Sequence, residues 1–268
     1  MPKYKEDAAG GATAGRLARA MLLSPGRAAE TLSTDRDAIG AALVLYLVYL
    51  AVSVAFYSWK PVEFPAPGGA PGLLGGEPLP QSPVFWAKVQ AWNPLLTAIW
   101  LVFLAWFASF LQGGRLALRL LGGASLGVMP IVPILLYTGN QAPRWSVLAS
   151  WVVVFGVMAP GLRRRRGDSW RRLAGLVLSI VIVNVALSPA FALAVLAGSE
   201  AAYQGLEIVM LFWTLGLGAY LLGRMESIAT ARAFAALFFS MLCQLLLVAS
   251  LHLAGIVPKD ILKALMSV

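Results

Sequence analysis

From Ile39 to Trp59 no side chain carries a charge, and six further stretches of comparable apolarity follow along the chain. The hydrocarbon core of a bilayer is about 30 Å thick, so a crossing helix needs about 20 such residues. Inside lipid every backbone polar group has to be satisfied within the protein, and a helix does this within one segment. The expected fold is therefore an all-α, polytopic transmembrane bundle of about seven spans. Composition agrees: 59% of residues are hydrophobic and 12% charged, with mean hydropathy +0.78, where soluble domains carry about a quarter charged residues. The loops leave no room for a soluble domain of roughly 100 residues.

Orientation follows from the stretch Pro160 to Arg172, which holds six arginines between two apolar runs. Basic clusters stay on the cytoplasmic side. Seven spans with the N-terminus cytoplasmic and the C-terminus outside put there all but Lys60, Lys88, Arg144, Lys259 and Lys263 of the 21 basic residues. The formal charge of +9 thus marks orientation and contact with anionic lipid rather than nucleic acid. Arg163, Arg164, Arg165, Arg166, Arg171 and Arg172 are the candidate contacts for lipid or a protein partner.

Residues Met1 to Gly15 are small and polar and should be disordered, and no cleavable signal peptide is expected. Arg16 to Leu32 suggests two short helices lying in the cytoplasmic interface, the second starting at Pro25 with Ser24 as N-cap. Thr34 and Asp37 have the spacing of a capping box before the first span, Ile39 to Trp59. Lys60 to Gln90 is rich in Pro and Gly and should be a long irregular outer loop, with Phe85, Trp86 and Trp92 as interfacial aromatics. The second span is Pro94 to Leu111 and the third Ala117 to Tyr137. The third contains Gly123, Gly127, Pro130 and Pro133. Proline leaves a carbonyl unpaired, which neighbouring helices must re-satisfy, so this span should be buried, with Gly123 and Gly127 at a close helix contact. Trp145 to Met158 is a short fourth span, followed by the arginine loop. The fifth starts at Leu173 and is kinked or ended by Ser188-Pro189; the sixth is Leu206 to Leu222 and the seventh Ala233 to Leu253. Ile261, Leu262 and Leu265 could lie on the interface after Pro258.

Leu22 to Leu187 resembles the Yip1 domain family of polytopic membrane proteins. The resemblance is carried by Leu22-Leu23-Ser24-Pro25-Gly26-Arg27-Ala28-Ala29, the turn Gly113-Gly114, Leu121-Gly122-Gly123-Ala124-Ser125-Leu126-Gly127-Val128-Met129-Pro130, the basic loop, and Trp170-Arg171-Arg172-Leu173-Ala174-Gly175. It implies a cytoplasmic N-terminus and usually five spans, so the helices from Leu206 onward are additional. The Asp-Leu-Tyr-Gly-Pro stretch of the eukaryotic trafficking members is absent, which argues against a Rab-linked role and favours a bacterial type in the inner (plasma) membrane. On this reading residues 1–38 form a cytoplasmic tail with interfacial helix, 39–197 the Yip1-like membrane domain and 198–268 the additional helices.

No P-loop, Gly-x-Gly-x-x-Gly, His-Glu-x-x-His or Ser/His/Asp set is present, and the one cysteine, Cys243, lies within an apolar run. No catalytic residue, cofactor or metal site is expected. Ser109, Ser150, Asn184, Thr214, Ser240 and Gln244 read as helix-helix hydrogen bonds, His252 as packing, and Glu207 as a favourable charge near a helix N-terminus, with an outer gate as its minority reading. The expected function is a non-catalytic scaffold or accessory subunit with membrane-protein partners or a homo-oligomer. The alternative is a permease subunit for an apolar or lipid-like solute.

Overall fold

The computed structural model describes residues 13–61, 64, 79–163, 165 and 167–266, and among them only helices, turns and loops occur. Two short helices, α1 (Ala14–Leu23) and α2 (Pro25–Thr34), precede the first span, α3 (Ala38–Trp59). The second span is α4 (Pro83–Gln90) running into α5 (Asn93–Gln112), and the third is α6 (Leu116–Val128) continued by α7 (Ile131–Thr138). The fourth is α8 (Arg144–Arg163), and the fifth is α9 (Gly167–Ser179) continued by α10 (Ile182–Leu196). The sixth and seventh are α11 (Glu200–Glu226) and α12 (Thr230–Leu253), and α13 (Lys259–Met266) follows. Seven of these segments are long and apolar enough to cross a bilayer. The protein is an integral membrane, all-α polytopic bundle.

Its centre is the pairing of α5 with α12. Phe103, Leu104, Phe107 and Leu111 from α5 meet Ala236, Leu237 and Cys243 from α12, all fully buried. Side chains fasten the same seam: the Trp100 indole donates to Ser240 Oγ at 2.9 Å, and Gln244 Nε2 to Leu96 O at 3.3 Å. Trp151 of α8 donates to Ser250 Oγ of α12 at 2.9 Å. α11 packs against α12, α10, α9 and α2, so the last two spans sit within the bundle rather than on its edge. Ser109 and Ser150 bond carbonyls of their own helices instead of a neighbour. The His252 ring pairs with Val257 O at 2.8 Å, across the turn that ends α12.

Several expectations are corrected. The third span is the least buried of the seven, at 17%. Its chain breaks at Met129-Pro130, so that α6 lies on α5 and α12 while α7 turns to α8. Gly123 does form the close contact: a Cβ there would lie 3.2 Å from the Phe239 ring and 3.6 Å from Phe107. Gly127 has ordinary clearance, 3.8 Å to Leu242. Pro133 falls in the first turn of α7, where its missing N–H leaves no gap. Pro189 does not end the fifth span; α10 runs through it, and Ser188 Oγ donates at 2.8 Å to Val185 O, the carbonyl that proline leaves free. The break lies earlier, at Ile180-Val181, where nothing in the local sequence marks it.

At the N-terminus helix begins at Ala14, and residues 1–12 lie outside the described residues. α1 and α2 form as expected, but their apolar faces dock on protein rather than lipid: Leu17, Met21, Ala28, Ala29 and Leu32 are buried in the main core. Ser24 takes the N-cap position of α2 without a side-chain bond. The capping box does not form. Thr34 is the last residue of α2 and donates to Glu30 O, while Asp35 Oδ1 accepts from the Asp37 N–H at 2.8 Å.

The loop Lys60 to Gln90 contains a helix, α4, whose Trp86 is buried and stacked on Tyr57 at 4.7 Å rather than interfacial. Residues 62–63 and 65–78 of that loop lie outside the described residues. Ile261 and Leu262 of α13 are buried against the same cluster as Trp86 and Val89, not laid on lipid. The fourth span is longer than expected, because Pro160 lies within α8, and only 164–166 separate α8 from α9.

Three crossings separate Ser82, before α4, from Arg163, at the end of α8, and both are exposed. Cys243 is buried, and replacing it with Ala gives a clean background. Ser82→Cys should then react with an impermeant maleimide in intact cells, and Arg163→Cys only after permeabilisation; labelling of both from one side would remove the orientation.

Candidate functional site

The ends of α5, α6, α8, α9 and α11 converge at the basic end of the bundle around a cavity of about 620 Å³. Its lining comprises Ser109, Phe110, Gln112, Arg119, Gly161, Arg165, Asp168, Ser169, Arg172 and Glu226. Gly161 lets the end of α8 lie on the Trp106 indole, since a Cβ there would be 3.1 Å from the ring.

Glu226, the last residue of α11, organises the floor. Its carboxylate accepts from Arg165 Nη2, from Ser169 Oγ at 3.1 Å to each oxygen, and from Arg172 Nη2 at 3.4 Å. The side chains of Arg165 and Glu226 are only 7% and 10% exposed. Arg165 also donates through Nη1 to Ala105 O of α5 at 2.8 Å. One acid therefore ties α11 to the arginine segment and to α9, and its partner reaches α5. Charges so buried are tolerated only when paired and hydrogen-bonded. Burial pulls the Arg165 guanidinium down from its ordinary value, and the Glu226 carboxylate offsets part of that.

Other arginines cap helices. Arg232 donates to Leu111 O at 2.7 Å, Gly113 O at 3.2 Å and Gly114 O at 2.9 Å, which satisfies carbonyls at and just beyond the end of α5. Arg171 Nη1 donates to Asp35 O at 3.0 Å, just past α2. A cation near a helix C-terminus also meets the negative end of its dipole.

Arg119 and Arg172 leave charge available to the cavity. Arg119 lies over the Phe110 ring, 4.7 Å from its centre. Arg172 is 28% exposed, and its Nε–H is buried without an acceptor. Opposite them stands Asp168, so three arginines face two acids and the wall is positive by one. A partly exposed guanidinium that lines a cavity can pair with a ligand oxygen entering it.

The six arginines singled out by sequence thus divide. Arg163 is exposed at the end of α8, Arg164 and Arg166 lie outside the described residues, Arg165 is turned inward, and Arg171 and Arg172 are half-buried. Sequence reasoning missed Glu226, Ser169 and Arg119. The available signal was Glu226 itself, an acid closing an apolar run at an otherwise basic end. Among the described residues no group of three His, Cys, Asp or Glu side chains is placed to hold a metal. No family model, curated protein or solved structure matches this chain.

Proposed function

We propose that this protein is a non-catalytic scaffold or accessory subunit of a membrane complex, of the Yip1-like bacterial type and seated in the inner membrane. In this reading the basic-end cavity receives an acidic group of a partner membrane protein. The observation that carries it is the pair Arg119 and Arg172 lining a positively charged cavity whose Arg165–Glu226 floor is already fixed. A preorganised donor set of this kind binds a carboxylate without first paying for side-chain ordering. The full chain purified in mild detergent should retain a stoichiometric partner. The pair Arg119→Ala and Arg172→Ala should reduce that retention at least about tenfold, equivalent to about 1.4 kcal/mol, with the melting temperature little changed because Arg165 and Glu226 stay paired. Unchanged retention would remove the cavity from the interface.

A second reading, a permease subunit for an apolar or lipid-like solute, rests on the broken third span, since discontinuous helices serve substrate sites in transporters. A solitary, monodisperse species that moves such a solute into liposomes would put this reading first. In that case Pro130→Ala should slow uptake.

A further inference from the structure

At the end opposite the arginines a second cavity lies between α3, α10 and α11, with Tyr49, Ser53, Asn184, Ser188, Tyr203 and Glu207 among its lining residues. It is narrow, about 50 Å³. That is room for a water or two, or for a two-carbon ammonium arm, and too little for an acyl chain. Its wall is polar for a membrane interior, with Tyr49, Ser53 and Asn184 lining it side by side. Tyr57 and Tyr203, from α3 and α11, line it on the side of Lys60. Phe191 and Phe64 each pack edge-on against Tyr203, at 5.0 and 5.4 Å, so the wall is held in place by aromatic contacts.

Two opposite charges flank the mouth. Lys60 is the first residue after α3, and its ammonium lies over the rings of Tyr57 and Tyr203, 5.4 and 5.2 Å from their centres. Burial pushes that ammonium down from its ordinary value, and the Glu207 carboxylate acts on it in the opposite sense. The two groups sense each other, yet among the described residues no ion pair joins them; those found there centre on Glu226. Glu207 stands two turns into α11, about 10 Å along a helix that at 1.5 Å per residue is longer than the hydrocarbon core. This places the carboxylate near the boundary between head groups and acyl chains. Around it Ile208, Leu211 and Phe212 are exposed by 57%, 46% and 65%, a surface suited to fatty chains.

From this arrangement we infer that the mouth of the cavity binds the zwitterionic head group of a phospholipid, its ammonium arm reaching in to Glu207 and its phosphate staying outside on Lys60. An anionic head group would satisfy Lys60 and be repelled by Glu207, and a simple cation would do the reverse. A head group with both charges satisfies both residues and bridges the gap that their own side chains leave. The exposed apolar strip beside Glu207 selects a lipid over a free zwitterion. The site shares no residue with the basic-end cavity, so a failed partner experiment there leaves it untouched.

The test uses the full chain, delipidated in detergent, exchanged into micelles with equal amounts of phosphatidylethanolamine and phosphatidylglycerol, and weighed with its retained lipid by native mass spectrometry. The wild type should hold phosphatidylethanolamine in excess by about tenfold. The near-isosteric Glu207→Gln should bring the ratio close to one, and Lys60→Met should lower retention of both lipids about tenfold, while circular dichroism and gel filtration stay unchanged. Equal retention by the wild type, an excess that survives Glu207→Gln, or undiminished lipid retention by Lys60→Met would overturn the assignment. Displacement of the lipid by an equal concentration of glycerophosphoethanolamine would also overturn it, because the free zwitterion would then be the better ligand.

Discussion

Glu226→Ala should destabilise the bundle by about 3 to 5 kcal/mol, the range found when one member of a buried ion pair is removed and the other is left without compensation. Arg165 would then be a guanidinium with 7% of its side chain exposed and one neutral acceptor, Ala105 O. Ser169 Oγ and Arg172 Nη2 would lose their acceptor as well. For a domain of this size the loss corresponds to a fall of about 10 °C in melting temperature, read by scanning fluorimetry in detergent. Two comparisons separate the buried pair from general damage. Arg172→Gln removes a longer bond, 3.4 Å, from a side chain that is 28% exposed, and should cost under about 1 kcal/mol. Arg165→Met combined with Glu226→Leu should recover most of the loss, because a well-packed apolar pair replaces a buried ionic one at little cost. If the double variant is no better than Glu226→Ala, the interaction lies elsewhere than in this pair.

The spans were legible in the sequence because the bilayer reads only length and apolarity. Ile39 to Trp59 was expected and Ala38–Trp59 is found. The helix breaks were less legible, since they depend on what packs alongside. Pro130 breaks its span, while Pro189 is carried through because Ser188 takes up the carbonyl that proline frees. The arginine segment was legible as charge and misleading as surface. Positive-inside bias counts Arg165 as one more exposed base, whereas its burial depends on Glu226, 61 positions further on. Tertiary pairing of this kind has no local signature. The same holds for Tyr49, Tyr57 and Tyr203, which nothing in the sequence connects until three helices place them around one cavity with Asn184.

Glycines show the same division, and they supply the second large effect. Gly123 and Gly127 carry a recognisable small-residue spacing, yet a tighter approach occurs at Gly218 of α11. A Cβ built there would lie 2.9 Å from both Ile180 Cδ1 and Leu237 Cδ1. Those two side chains are 2% exposed each, so neither has free volume to turn into. Gly218→Val should therefore push α11 away from α12 and from the α9–α10 junction, with a loss of about 3 kcal/mol, at the upper end for overpacked cores. Gly218→Ala adds one methyl and gains up to about 1 kcal/mol of helix propensity, so a smaller net loss is expected. Gly216, two residues earlier and on the exposed face of the same helix, has nothing within 4 Å of its would-be Cβ. Gly216→Ala keeps the propensity gain without the clash and should be neutral or stabilising by up to about 1 kcal/mol. Thermal melting of the three variants side by side decides the matter. A Gly218→Val protein that melts with the wild type would mean that α11 and α12 do not cross at this point.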